Sequence, residues 1–201
     1  MHSCSLLGAV ACASLLGTMA HAGVVVTPSQ LLWNQRVTNG GEIVGTESFN
    51  SYVGYYADTV TGVVGDVTWT ASASPSGLSA SGGFLRSSDA FATLTFTFSK
   101  AVRGVAGNIF GTDAPGNAAL SIIDVSVTGC AAYEGFASDA GAFIGFYSSS
   151  ASITSLSITV ASPLPGASVF ASIDNLYLAV PSPGAAALVG LAGLLTRRRR
   201  V

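Results

Sequence analysis

Histidine is almost absent from this chain, and its two copies, His2 and His21, both lie before residue 22. Charge is equally sparse, at 9% of residues, and cysteine is limited to Cys4, Cys12 and Cys130. If the first segment is removed on export, the remaining domain holds no imidazole. Serine or cysteine triads with a histidine base, histidine-containing zinc sites and histidine acid–base relays are then excluded. Cys130 would be left alone, so no internal disulfide can form; it reads as a small apolar residue near a strand end. There is no glycine-rich phosphate loop and no cofactor motif.

Both ends of the chain seek lipid. An apolar stretch from about Leu6 to Gly17 precedes Ala20-His21-Ala22, the small-x-small pattern that a signal peptidase cuts after, which places the mature start near Gly23. Cys12 follows Ala9-Val10-Ala11, but it lacks the leucine three residues earlier that lipidation needs, which argues against a lipoprotein. At the other end, Pro181-Ser182-Pro183 leads into an apolar run from Gly184 to Leu195, stopped by Arg197, Arg198, Arg199 and Arg200. Four guanidinium groups resist crossing a bilayer and hold that end on the cytoplasmic side. As a helix, the run would extend only about 18 Å, short of the ~30 Å hydrocarbon core, which suits a transient device better than a permanent span.

Between the ends lies one domain's length, roughly residues 23 to 180, enough to bury about 70% of its unfolded surface. Its basic residues are Arg36, Arg86, Lys100 and Arg103, against ten acids, for a net charge of −6. Such a surface repels phosphate backbones, so nucleic acid is not an expected partner.

The dominant period is two. Thr93 to Phe98 alternates threonine with leucine or phenylalanine, as a half-buried antiparallel strand requires. Residues 67 to 71, 123 to 127 and 155 to 160 repeat the pattern. Turn-forming clusters at residues 74–77, 81–83, 113–117 and 163–166 separate them. The expected fold is all-β, an antiparallel sandwich or barrel, with any helix in the middle brief or absent and helices expected at the N-terminal signal and the short C-terminal apolar run. The doublet Ile122-Ile123 switches the apolar phase and suggests a bulge.

The tail, with its Pro-x-Pro motif, apolar segment and final arginine cluster, resembles the PEP-CTERM sorting signal of exosortase substrates. Ser182 stands where that motif usually carries glutamate. The resemblance implies an exported protein held in the inner membrane until an exosortase-like peptidase releases it to the cell surface or matrix. A plain membrane anchor is the alternative. The body, from about Glu42 to Val180, resembles the jelly-roll, galactose-binding-like or lectin-like sandwiches often fused to this signal, which implies a sandwich but transfers no ligand residue.

Glycan recognition needs aromatic faces beside carboxylates or amides. The chain offers Trp33, Tyr52, Tyr55, Tyr56, Trp69, Tyr133 and Tyr147, of which Tyr55 and Tyr56 with Asp58, and Tyr133 with Glu134, are the expected candidates; most aromatics of a sandwich fill its core, and Trp69 shares a face with Val67 and Ala71. No cofactor is required. A structural calcium would be sought first at Asp174 and Asn175, then at the turn bracketed by Asp113 and Asn117. The glutamates Glu42, Glu47 and Glu134 show no spacing that pairs them for glycoside hydrolysis. The threonines Thr93, Thr95 and Thr97 could form an ice-binding array, but they also fit an ordinary solvent-facing strand. The expected function is non-enzymatic association with exopolysaccharide, or else a surface scaffold acting through protein contacts.

Overall fold

The computed structural model describes residues 23–128, 131–150 and 152–181. Both expected terminal helices, Cys130, the cleavage residues Ala20 and Ala22, and the tail from Ser182 through Pro183 to Arg197, Arg198, Arg199 and Arg200 lie outside them. No described helix is long and apolar enough to cross a membrane.

In chain order the elements are β1 (Val24–Thr27), α1 (Gln30–Asn39), β2 (Glu42–Glu47), β3 (Gly54–Tyr56), β4 (Thr59–Val64), β5 (Val67–Ser74), β6 (Leu78–Ser81) and β7 (Phe84–Ser87). There follow β8 (Thr93–Val102), β9 (Gly104–Thr112), β10 (Ala118–Ala119), β11 (Ser121–Val127), β12 (Ala131–Ala137), β13 (Phe143–Ser148), β14 (Ile153–Ala161) and β15 (Phe170–Pro181). They form two antiparallel sheets facing each other. One runs β12-β11-β14-β8-β5-β4; the other runs β1-β13-β9-β15-β7-β6-β3, with β10 added to β9 and β2 added to β15.

Alternation builds the six-stranded sheet. Along β5, Val67, Trp69, Ala71 and Ala73 point inward and are buried, while Thr68, Thr70 and Ser72 point outward. On β8, Leu94, Phe96 and Phe98 point in and Thr93, Thr95 and Thr97 point out. The registers set the outward residues in rows, Thr61-Thr70-Thr97-Ser155 and Thr59-Ser72-Thr95-Ser157-Ser126. The outer face is therefore a sheet of hydroxyls. Inside, Trp69 meets Phe49 edge-on at 5.6 Å and Phe96 at 5.9 Å, and Tyr52 at 5.7 Å completes the aromatic centre.

In the opposing sheet, β9 is buried on both faces because a second layer covers part of its outside. That layer is α1. Its Trp33 and Val37, four residues apart on one helix face, pack onto Ala106, Tyr147 and Ala179. Trp33 donates its indole N–H to the Phe146 carbonyl at 2.9 Å, and a side chain on Gly145 would lie 2.4 Å from the ring. The helix end is fastened by Arg103, which bonds the Gly40 carbonyl and Glu42 at 3.2 Å each and lies over the Tyr147 ring. Burial pushes the Glu42 carboxyl up, and Arg103 partly offsets this.

The expected bulge at Ile122-Ile123 is not there. β11 keeps continuous register with both neighbours through this doublet, so Ile122 simply joins the outer face. The register shifts fall instead between Ile153 and Ser155 and between Asp174 and Tyr177.

Trp69→Ala is expected to cost about 3–5 kcal/mol in urea unfolding, whereas Thr97→Ala on the hydroxyl face is expected to change stability by less than about 0.5 kcal/mol. Equal costs would mean that the inner and outer faces are misassigned.

Candidate functional site

Strand periodicity separates residues that are neighbours in sequence. Tyr55 is 66% exposed on β3, while Tyr56 turns inward and packs against the core. The two rings cannot present one platform. Tyr55 instead joins Asp58, which is exposed just before β4, in an open cleft of about 440 Å³ whose far wall is Ser74, Pro75, Ser76 and Gly77. That volume falls in the range of ligand clefts. Gly77 makes the cleft possible: a Cβ there would lie 2.2 Å from the Tyr56 carbonyl oxygen and 2.9 Å from the Tyr55 hydroxyl. The sequence marks residues 74–77 as a turn; that this turn faces Tyr55 follows only from the β3–β6 register, with Tyr55 opposite Ser79.

Tyr133 and Glu134 also part. Tyr133 packs partly into the core and lines a second cleft, of about 420 Å³, with Pro28, Phe136, Asp139 and Phe143. Phe136, 70% exposed at its lip, is an aromatic that the sequence reading did not single out. One oxygen of Asp139 is already taken by the Gly141 N–H at 2.7 Å. Glu134 lies on the other face of β12, directly across from Asp124, in a shallow groove of about 320 Å³ with Ile122 and Thr159. Like charges directly across a strand pair are unfavourable.

The three glutamates are not brought together. Glu42 is held by Arg103, Glu47 accepts the Phe49 N–H at 3.0 Å, and Glu134 belongs to the opposite sheet.

Asp174 and Asn175 mark the place where β15 changes partner. Residues Ser172 to Asp174 pair with β7, and residues Leu176 to Pro181 pair with β2. Asn175, at φ 55°, takes up the left-handed bend that Asn tolerates, and its amide donates to Asn108 Oδ1 at 3.4 Å. Tyr177 donates its hydroxyl to the same oxygen at 3.5 Å. Asp174 is half-buried, and burial pushes its carboxyl up; no cation pairs with it among the described residues. Asp113 and Asn117 close on each other: Asp113 accepts the Asn117 backbone N–H at 2.7 Å and its amide at 3.2 Å. The amide bond leads in lowering the Asp113 carboxyl below its ordinary value. Among the described residues, no three of His, Cys, Asp and Glu gather as a metal site.

No family model, curated protein or solved structure matches this chain.

A carboxyl whose pKa is higher in the folded than in the unfolded protein stabilises the fold in its protonated form. The contribution is complete below the unfolded value, near 3.8 for Asp174, and is lost as pH rises through the folded one. Asp174→Asn is therefore expected to raise the melting temperature at pH 7, with the gain shrinking towards pH 3. A loss of stability at pH 7 would show that Asp174 has a cationic partner.

Proposed function

We propose that this chain is an exported, non-enzymatic protein of the cell envelope or extracellular matrix that associates with exopolysaccharide. A signal peptidase removes residues 1 to 22, the sandwich folds outside the cytoplasm, and the tail from Pro181 holds it in the inner membrane until an exosortase-like peptidase acts. The jelly-roll, galactose-binding-like class is the sandwich type we assign to it.

One observation carries the glycan reading: an exposed tyrosine ring stands beside a free carboxylate in an open, otherwise uncharged cleft. A ring face accepts sugar C–H groups, and Asp58 with the exposed Ser74 hydroxyl accepts and donates to sugar hydroxyls. The cleft holds a chain from one side without enclosing it, which suits an internal stretch of polymer. Nothing there pairs an acid with a base or shields a reacting bond from water, so binding without turnover is the chemistry offered.

The hydroxyl face of the six-stranded sheet favours a second reading, a scaffold packing through protein contacts. Its rows of serine and threonine are uncharged and partly bonded to each other, as at Thr61–Thr70 (3.3 Å) and Thr95–Ser157 (3.4 Å).

On a glycan array, Tyr55→Ala is expected to weaken polysaccharide binding about tenfold or more with the melting temperature unchanged, and Asp58→Asn to weaken it less. Silence of the unaltered protein would leave the scaffold reading. Neither EDTA nor added calcium is expected to shift the melting temperature or the binding, because Asp113, Asn117 and Asn175 are taken by turn and bulge bonds and no group of three acidic side chains forms around Asp174 among the described residues. A rise of several degrees with calcium would assign a structural ion.

A further inference from the structure

The antiparallel registers place both ends of the described chain at one end of the sandwich. Val24 opens β1 opposite Ser148, and Tyr147 lies opposite Gly104, which in turn lies opposite Ala179, two residues before β15 ends at Pro181. The points of entry and departure are three strands apart, about 14 Å. The Tyr55–Asp58 cleft lies at the other end. Tyr56 is opposite Leu78, Leu78 opposite Ser87, and β7 joins β15 near its start, where Ser172 faces Arg86. From that level to Pro181 the strand covers about 30 Å.

Charge is divided along the same axis. Arg36 near the end of α1, Lys100 and Arg103 gather at the end where the chain leaves, accompanied by Asp66 and Glu42. Asp58, Asp89, Asp113 and Asp139 stand in loops at the cleft end. The one cation there among the described residues, Arg86, is turned onto the Phe170 ring and bonds the Asp113 and Ala114 carbonyls. The two ends therefore differ in sign, with the negative end at the cleft.

We propose that the Pro181 end is a membrane-facing surface fitted to an anionic bilayer, so that the tethered protein stands upright and presents the Tyr55–Asp58 cleft outward. This rests on the reading of the tail as a bilayer segment. Lys100 and Arg103 are matched by Asp66 and Glu42, so this end meets anionic headgroups with the unmatched charge of Arg36, while the four loop aspartates that headgroups would repel stand several screening lengths away. The reverse posture would bring those aspartates to the headgroups and would need the chain to double back along the whole sandwich. The geometry thus assigns one end to the lipid and the other to extracellular polymer. Processing of the tail releases the sandwich without disturbing the cleft.

The test uses residues 23–201, the form proposed to remain after signal removal, with Cys130→Ser and one fluorophore on Asn39→Cys or Ala114→Cys, both exposed, at the Pro181 end and the cleft end respectively. The chain is inserted into vesicles of phosphatidylcholine and phosphatidylglycerol carrying a headgroup-attached quencher. The expected result is co-flotation with the vesicles and several-fold stronger quenching at position 39 than at 114. Co-flotation with equal quenching, or with stronger quenching at 114, overturns the orientation and leaves the tail reading standing. Failure to float overturns both.

Discussion

The interior contact between the two sheets is the constraint on which the rest depends. Trp69, Phe49 and Phe96 fill its centre, and every strand that borders them must send alternate residues towards them. With no cysteine among the described residues, apolar burial is what offsets the entropy of ordering them. Because the inner positions are taken by apolar residues, the polar content falls outward. On the six-stranded sheet it becomes rows of hydroxyls, and most of the charge is displaced to loops and strand ends. The shape of the surface is thus a consequence of the core.

β15 organises the other sheet. It lies beside β9 along nearly its whole length and takes two different partners on its other side, β7 and then β2, with Asp174 and Asn175 at the join. A bend of this kind explains why polar residues interrupt an apolar strand without invoking an ion. Asp174 sits there at some cost, half-buried and with no cation beside it among the described residues, while Asn108 gathers the amide of Asn175 and the hydroxyl of Tyr177. The same strand carries the chain from the Tyr55–Asp58 cleft end to Pro181, so the fold itself sets the cleft and the last described residue at opposite ends of the sandwich.

Strands with one wet face were legible in the sequence, because hydroxyls alternate with apolar groups in β5, β8, β11 and β14. β9 carries no such contrast, since α1 covers part of its outer side. The helix left only a faint trace: Trp33 and Val37 are its buried residues, and Leu31 and Leu32 face solvent, which blurs any stripe. Candidate residues were legible one at a time but not as pairs. Tyr55 with Tyr56, and Tyr133 with Glu134, were grouped by adjacency, yet consecutive strand residues point to opposite faces. Asp58 and the turn at residues 74–77 met Tyr55 through long-range register, which no local pattern encodes. The two ends of the chain belong to sequence alone, since the described residues stop at Pro181.

The central proposal is that the Tyr55–Asp58 cleft, at the end away from Val24 and Pro181, reads polysaccharide while the hydroxyl face does not. Titrating isotope-labelled residues 23–181 with oligosaccharides from a bacterial exopolysaccharide, followed by amide chemical shifts, tests it most directly. The account predicts saturable shifts confined to residues 55–59 and 74–77. Shifts spread over Thr61, Thr70, Thr97 and Ser155, or none at saturating sugar, would contradict it.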